Sequence, residues 1–232
     1  MGSTRLPGKV LQDLAGESVL ARVVDRLRHA RLINEVVIAT TDRSTDDAIV
    51  AECRKVSVAV CRGDQDDVLD RYFRAAQLTK ADVVVRVTSD CPLIDSEITD
   101  KTIAAFLEAR PDYASNVMVR TYPRGLDTEV VSFDALARAW QRASKPYERE
   151  HVTPYIYEHA DEFKLLSVTG DFDSSAGRWT VDTPEDLEFV RAVYCSFEPG
   201  TQFSWHDVLD LLDRCPEIAK LNHSVTQKTL QG

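Results

Sequence analysis

Eight consecutive residues near the start of the chain, Gly2-Ser3-Thr4-Arg5-Leu6-Pro7-Gly8-Lys9, combine flexible backbone, two small hydroxyls and two cations. Exposed backbone N–H groups at such a turn form an anion nest, and Arg5 and Lys9 add charge to it. That chemistry suits a phosphate. The string is not a P-loop, because Lys9 is followed by Val10 rather than Ser or Thr. On composition alone, a plain surface turn is the competing reading. Two carboxylates stand out further on, each just past an apolar run: Asp90 in Ser89-Asp90-Cys91-Pro92 and Asp182 in Val181-Asp182-Thr183-Pro184. Ligands of parallel α/β sheets gather at the carboxyl ends of strands. Two carboxylates brought together there suit Mg²⁺, which takes one or two of them and keeps phosphate oxygens and waters. The alternatives are a helix N-cap for Asp182 beside Thr183 and a turn residue before proline for Asp90.

The elements that must position these groups alternate between strand and helix. Leu20, Val23, Val24 and Leu27 recur at helical spacing. Strands are expected at 36–41, 56–60 and 82–89, and helices at 66–78 and 96–109, with Ser44 capping a further helix through a capping-box variant with Asp47. Near-continuous apolar strands separated by helices imply a parallel sheet covered on both faces. The rhythm changes after Pro111. The stretch 117–131 contains Pro123 and Gly125 and reads as a hairpin or loop. Short strands follow at 165–169 and 178–181. Thr183-Pro184 then starts a helix, and Ser204 with Asp207 caps a last one, whose Trp205, Val208, Leu209 and Leu212 read as a packing face. The chain reads as one domain over 1–232, with 111–165 as an inserted or protruding segment.

Composition narrows the function. Lys and Arg number 28 against 38 Asp and Glu, a net charge of −10 over 232 residues. That balance argues against broad nucleic-acid or anionic-membrane binding, which needs a basic face. Any anionic ligand must be held by a local cluster of cations. Aliphatic runs such as Val83-Val84-Val85 are cut by charge within a few residues, far short of the roughly 20 apolar positions of a membrane span. The opening residues carry no secretory pattern, and Leu6 at the sixth position argues against myristoylation. Five scattered cysteines with no C-x-x-C pair suggest neither a disulfide framework nor a zinc site. A cytoplasmic location is expected.

The opening string resembles the nucleotide-binding signature R-M-G-S-T-R-L-P-G-K of the CMP-sugar-acid synthetases, the acylneuraminate and KDO cytidylyltransferases. It is most similar to the branch called spore coat polysaccharide biosynthesis protein F-like. Further matches follow in order: Val37-Ile38-Ala39-Thr40-Thr41, Arg62-Gly63 with Asp66 to Tyr72, Arg86 to Ile94, Pro123 to Val130, Arg149 to Pro154, and Arg178 to Leu187. The resemblance implies a three-layer, Rossmann-like nucleotide-diphospho-sugar transferase fold with a mostly parallel sheet. It implies transfer of CMP from CTP to a sugar, expected to be an acidic one bound for a surface polysaccharide, with Mg²⁺ as cofactor. Gly2, Ser3, Thr4, Arg5 and Lys9 would then cradle the triphosphate, with Arg5, Lys9 and Asp90 catalytic and Asp90 and Asp182 holding the metal. Ala39, Thr40, Thr41, Arg62 and Asp64 would line the base pocket, the alternative for the two threonines being a strand terminus with satisfied hydroxyls. In the middle segment, Arg124 or Arg120 could hold a sugar carboxylate and Asp127 or Glu129 its hydroxyls, with Glu150 and His151 as further sugar-binding candidates. His151 lies four residues from Tyr147 and Tyr155, so a shared helical face is its competing reading.

Related synthetases pair through an arm like the middle segment, so a homodimer is expected. Asp171-Phe172-Asp173 matches the D-x-D motif of glycosyltransferases, but its loop company reads as a solvated turn. Two rival functions stay open: a glycosyltransferase using a finished nucleotide sugar, and a catalytically silent nucleotide-binding protein. Met1 aligns with the internal methionine of the family signature, which a strand precedes. The natural start is therefore expected upstream, and a chain lacking that strand is expected to be poorly stable or to bind CTP weakly.

Overall fold

The computed structural model describes residues 1–227. Strands β1 (Asp13–Leu14) and β2 (Glu17–Ser18) form a short antiparallel hairpin leading into helix α1 (Val19–Arg28). The expected alternation follows: β3 (Val37–Thr41), α2 (Asp47–Lys55), β4 (Ala59–Gly63), α3 (Val68–Thr79), β5 (Val83–Arg86) and α4 (Ser96–Ala109). Then come β6 (Tyr113–Ser115), β7 (Glu129–Ser132), α5 (Phe133–Arg142), α6 (Pro146–His151), α7 (Pro154–Glu158) and β8 (Leu165–Ser167). The chain closes with α8 (Pro184–Cys195), α9 (Trp205–Arg214) and α10 (Pro216–Ala219). Residues 178–181 form no strand; Arg178 makes a single parallel bridge with Arg124.

The α/β class holds, but the strand pairing is mixed rather than mostly parallel. β3 and β4 pair in parallel, with Val37 opposite Ala59. A separate four-stranded sheet has the order β5-β7-β6-β8, in which β7 is antiparallel to both neighbours and β6 is parallel to β8. The reason lies in the connections. α4 is a helical crossover, so β5 and β6 run the same way. β6 returns to β7 through a loop, which forces the opposite direction. Among the described residues β3 and β5 each pair along one edge only.

The middle segment does not protrude. It supplies β7, the strand between β5 and β6, and both faces of β7 are buried. Val130 packs with Ile103 and Phe106 of α4, whereas Val131 packs with Leu69 and Ala76 of α3 and Leu136 of α5, the period-two alternation of a covered strand. A third core gathers α8 and α9 around Leu93, Tyr122 and Trp179. In α9 it is Trp205, Val208 and Leu211 that are buried, while Leu209 and Leu212 are partly covered.

Local chemistry sets the starts of α8 and α9 where the sequence places them. Thr183 with Asp186, and Ser204 with Asp207, form capping boxes. Ser44 does not cap: residues 44–46 form a 3₁₀ turn before α2, and this turn delivers Asp46 back onto the end of β3.

One backbone contact ties the middle segment to the stretch 178–182 that carries Asp182. Gly125 has φ +108, and a Cβ built there would meet the Trp179 carbonyl carbon at 2.6 Å and the Thr180 nitrogen at 2.8 Å. Trp179 N–H donates to the Arg124 oxygen at 2.6 Å. Gly125→Ala is expected to combine backbone strain with a clash that no side chain can yield to, lowering the unfolding free energy by about 1–3 kcal/mol in urea denaturation. An unchanged urea midpoint would show that this approach tolerates a side chain.

Candidate active site

The loop ahead of α1 brings Lys9 to the two aspartates singled out by sequence. Lys9 Nζ donates to Asp90 Oδ2 at 2.5 Å and to Asp182 Oδ1 at 2.7 Å. The other oxygen of Asp182 meets Arg5 Nη2 at 3.0 Å and Arg178 Nη2 at 2.9 Å. Burial alone would lower the Lys9 pKa, but the charges of Asp90 and Asp182 outweigh it and hold the ammonium above the ordinary lysine value. Burial likewise pushes Asp182 up, and the bonds from Lys9 and Arg178 reverse this, leaving its carboxyl below the usual range.

Asp182 owes its position to Asp186, which is fully buried. The Asp186 carboxylate accepts from Arg178 Nε at 2.8 Å and Nη2 at 2.9 Å, from Asn222 Nδ2 at 3.0 Å, and from the backbone N–H groups of Asp182 and Thr183 at 3.0 and 3.1 Å. It therefore fixes the start of α8 and the side chain of Arg178 together. On the other side, the Asp90 oxygen accepts from Val181 N–H at 2.8 Å, which joins the two aspartate-bearing turns.

Beside this pair lies a cleft of about 670 Å³, lined in part by Arg86, Arg120, Arg124, Asp127, Glu129 and His151. Most of its charge is internally matched. Arg120 grips Asp127 with two bonds of 2.6 and 2.9 Å. Glu129, buried, pairs with Arg86 and accepts from Tyr113 Oη and Thr153 Oγ1, each at 2.5 Å. Asp127 and Glu129 are thus spent within the protein. Arg124 is different. Among the described residues its guanidinium has no hydrogen-bonding partner, and burial together with Arg120 presses its pKa down. His151 has no side-chain partner among the described residues either. It ends α6, and Val152 then takes φ +75 as the centre of a γ-turn, with Thr153 N–H donating to the His151 oxygen at 2.9 Å. Tyr155 therefore belongs to another helix, and the shared face of His151 extends only to Tyr147, four residues before it on α6.

A second cleft of about 630 Å³ is lined by Gly2, Thr41, Arg43, Asp66 and Glu150, among others. It separates Glu150, which is exposed, from the other residues expected to meet a sugar. Ser3 Oγ accepts from Leu6 N–H at 3.3 Å and Thr4 is exposed, so these two shape the loop. Ala39 lies within β3. The hydroxyls of Thr40 and Thr41 both donate to Asp46, at 2.8 and 2.7 Å, which is the satisfied strand terminus of the alternative reading. Arg62 is spent on the Thr41 and Arg43 carbonyls and on Asp47. Asp64 accepts from Asp66 N–H at 2.8 Å. Asp171 to Asp173 form an exposed turn, as expected, with Asp173 accepting from Ser175 N–H.

Residues 1–204 match the family model described as cytidylyltransferase. The chain belongs to the cytidylyltransferase family. It is 37% identical over 232 residues to an uncharacterized protein of Methanocaldococcus jannaschii, covering 98% of this chain and 93% of that one. It is 34% identical to the spore coat polysaccharide biosynthesis protein SpsF of Bacillus subtilis, covering 94% and 93%. The solved structure of a cytidylyltransferase from Leptospira borgpetersenii superposes with a TM-score of 0.91 at 34% identity, over 99% of this chain and 95% of that one. CMP:2-keto-3-deoxy-manno-octonic acid synthetase in complex with CTP superposes with a TM-score of 0.64 at 19% identity, over 84% and 95%, a likeness of fold.

For this cytidylyltransferase the donor set at Asp90 and Asp182 fits a hard divalent cation. Two carboxylate oxygens from different turns converge on one point, which Lys9 Nζ marks. Among the described residues no three His, Cys, Asp or Glu side chains form a metal-binding group. Such an ion would therefore draw its remaining oxygens from phosphate and water.

Three residues escaped the sequence reading. Asp186, in the first turn of the helix expected after Thr183-Pro184, closes its capping box and anchors Arg178. Arg86 ends an apolar strand, a position that could have flagged a buried partner, and that partner is Glu129. Asp46 was hidden by the expectation of a cap at Ser44. Burial tends to raise the Asp46 pKa, but the hydroxyls of Thr41 and Thr40 outweigh it and bring it from 3.8 down to about 2. A depressed folded pKa stabilises above the unfolded value and is lost as pH falls through the folded one. The advantage of the wild type over Asp46→Asn in urea midpoints is expected to be full at neutral pH, worth up to about 2 kcal/mol, and to shrink between pH 3.8 and about 2. A gap independent of pH would assign the effect to packing instead.

Proposed function

We propose that this enzyme transfers CMP from CTP to a sugar acid, releasing pyrophosphate, on the way to a surface polysaccharide. The observation that carries the reading is the meeting of Lys9 and Arg5 with Asp90 and Asp182 beside a cleft whose one unmatched guanidinium, among the described residues, is Arg124. Arg5 and Lys9 would hold the triphosphate, Arg by forked bonds and Lys as a point charge. Asp90 and Asp182 would hold Mg²⁺, which when bound neutralises charge building on the phosphate oxygens. Arg124 would receive the sugar carboxylate, Arg120 being spent on Asp127, and His151 would meet a hydroxyl. The sugar oxygen forms a bond to the α-phosphorus as the bond from that phosphorus to pyrophosphate breaks. Proximity and charge neutralisation are the protein's main contribution. The cleft with Gly2, Thr41 and Glu150 is suited to the base. The printed name of the Bacillus subtilis relative supports the polysaccharide role.

The decisive test is pyrophosphate release with each of the four common nucleoside triphosphates and a panel of acidic and neutral sugars, with Mg²⁺. Release is expected with CTP and an acidic sugar. A glycosyltransferase would consume a nucleotide sugar without pyrophosphate, and a silent protein would release nothing. Asp90→Asn should keep the fold by circular dichroism and lose most turnover. Arg124→Ala should raise KM for the sugar acid about tenfold or more, the size of one charged hydrogen bond, while KM for CTP moves far less. A sugar KM unchanged by that substitution would remove Arg124 from the acceptor site.

Two settings complete the proposal. A reducing cytoplasm suits five free cysteines, three of them buried. No described helix is long and apolar enough to cross a membrane. Pairing of two chains through residues 111–165, where Val119 is apolar and exposed, should give a dimer mass by light scattering at micromolar concentration. A monomer there would withdraw it.

A further inference from the structure

Asp90 and Asp182 lie on different turns, yet one ammonium spans both, 2.5 Å from Asp90 Oδ2 and 2.7 Å from Asp182 Oδ1. Two carboxylates this close repel unless a cation sits between them. Lys9 is that cation. The remaining Asp182 oxygen is taken by Arg5 and Arg178, and Arg178 is itself locked by buried Asp186. Arg178 therefore cannot leave, whereas Lys9 hangs on a flexible stem from a short turn that begins after Gly8, at φ +68. A divalent ion bonded to the same two oxygens at about 2.0–2.1 Å would occupy the space the ammonium fills. The two cations exclude each other.

We infer that Lys9 is an internal placeholder, seated between the metal carboxylates until nucleotide phosphates draw it off, so that a divalent ion enters with or after the nucleotide and not before it. The inference rests on the reading of Asp90 and Asp182 as metal carboxylates, and on nothing about the base or the sugar. The phosphates supply what the exchange requires. Their negative charge gives the Lys9 ammonium a new partner, and their oxygens complete the ion's coordination. A positive charge stands between the carboxylates both before and after the exchange, the ammonium in the one state and the ion in the other.

The test uses the full chain and Mn²⁺ alone, with no nucleotide, followed by the loss of the free-ion signal in electron paramagnetic resonance. Lys9→Met and Lys9→Gln are expected to bind Mn²⁺ about tenfold or more tighter than the wild type, the size of one charged hydrogen bond. Their melting temperatures should rise with Mn²⁺ where that of the wild type does not. Adding Asp90→Asn to Lys9→Met should erase the gain. The glutamine variant keeps a polar group in the gap should methionine fail to fold there. Wild type binding nucleotide-free Mn²⁺ as tightly as both neutral variants overturns the inference, as does a gain that survives Asp90→Asn. A full Mn²⁺ gain in a protein that releases no pyrophosphate from CTP would overturn the proposed reaction and leave the placeholder standing.

Discussion

A single buried carboxylate holds the chemistry in place. Asp186 has no contact with solvent, and isolated in that setting its charge would cost several kcal/mol. It is stable there because a two-pronged guanidinium, an amide and two backbone N–H groups close around it. The same bonds define the first turn of α8, the direction of Arg178 and the place of Asp182. Removing any one partner leaves a buried charge short of bonds, so the group behaves as a unit. The exposed face of this unit is where Asp182 meets Lys9 and Arg5.

From there, rigidity spreads through the backbone rather than through side chains. Arg124 and Arg178 bridge in parallel, and Gly125 lets the chain approach Trp179 more closely than any side chain would permit. The cleft that holds Arg124 and the carboxylate pair are therefore joined through backbone contacts. Within the cleft, Arg120 with Asp127 and Arg86 with Glu129 form its walls. Pairing these charges internally leaves Arg124 as the group with an open valence for an anion, which is how a chain of net charge −10 can present a locally cationic pocket.

The elements closest to the site were the most legible in the sequence, for physical reasons. The helix expected at 96–109 is Ser96–Ala109 in the structure, where Asp95 caps its start by accepting from the N–H groups of Glu97 and Ile98. Lys9, Asp90 and Asp182 could be singled out because phosphate and metal chemistry restricts residue type and position, and the fold brings their side chains together. What the sequence could not carry was pairing direction and partner choice. Nothing in Glu129–Ser132 states that it enters between β5 and β6; its apolar run suits either direction, and the loop before it decides. Thr40 and Thr41 look free until the 3₁₀ turn returns Asp46 to them. Glu150 and His151 are neighbours in sequence, yet they line different clefts, because alternate residues near the end of a short helix point to different sides.

The γ-turn at Val152 has a thermodynamic consequence of its own. A β-branched residue at φ +75 stores roughly 1–3 kcal/mol of conformational strain. It persists because Thr153 is bonded to buried Glu129 on one side and His151 closes α6 on the other. The rim of the cleft is thus a loaded spring held by the Thr153 hydroxyl, by the Val152 N–H bond to the Glu148 oxygen and by the burial of the Val152 side chain. Any substitution that lets it relax returns that energy to the fold while splaying His151 away from Arg124. Relief of that strain and a wider cleft would then follow from the same substitutions, so stability and cleft shape are coupled at this one residue.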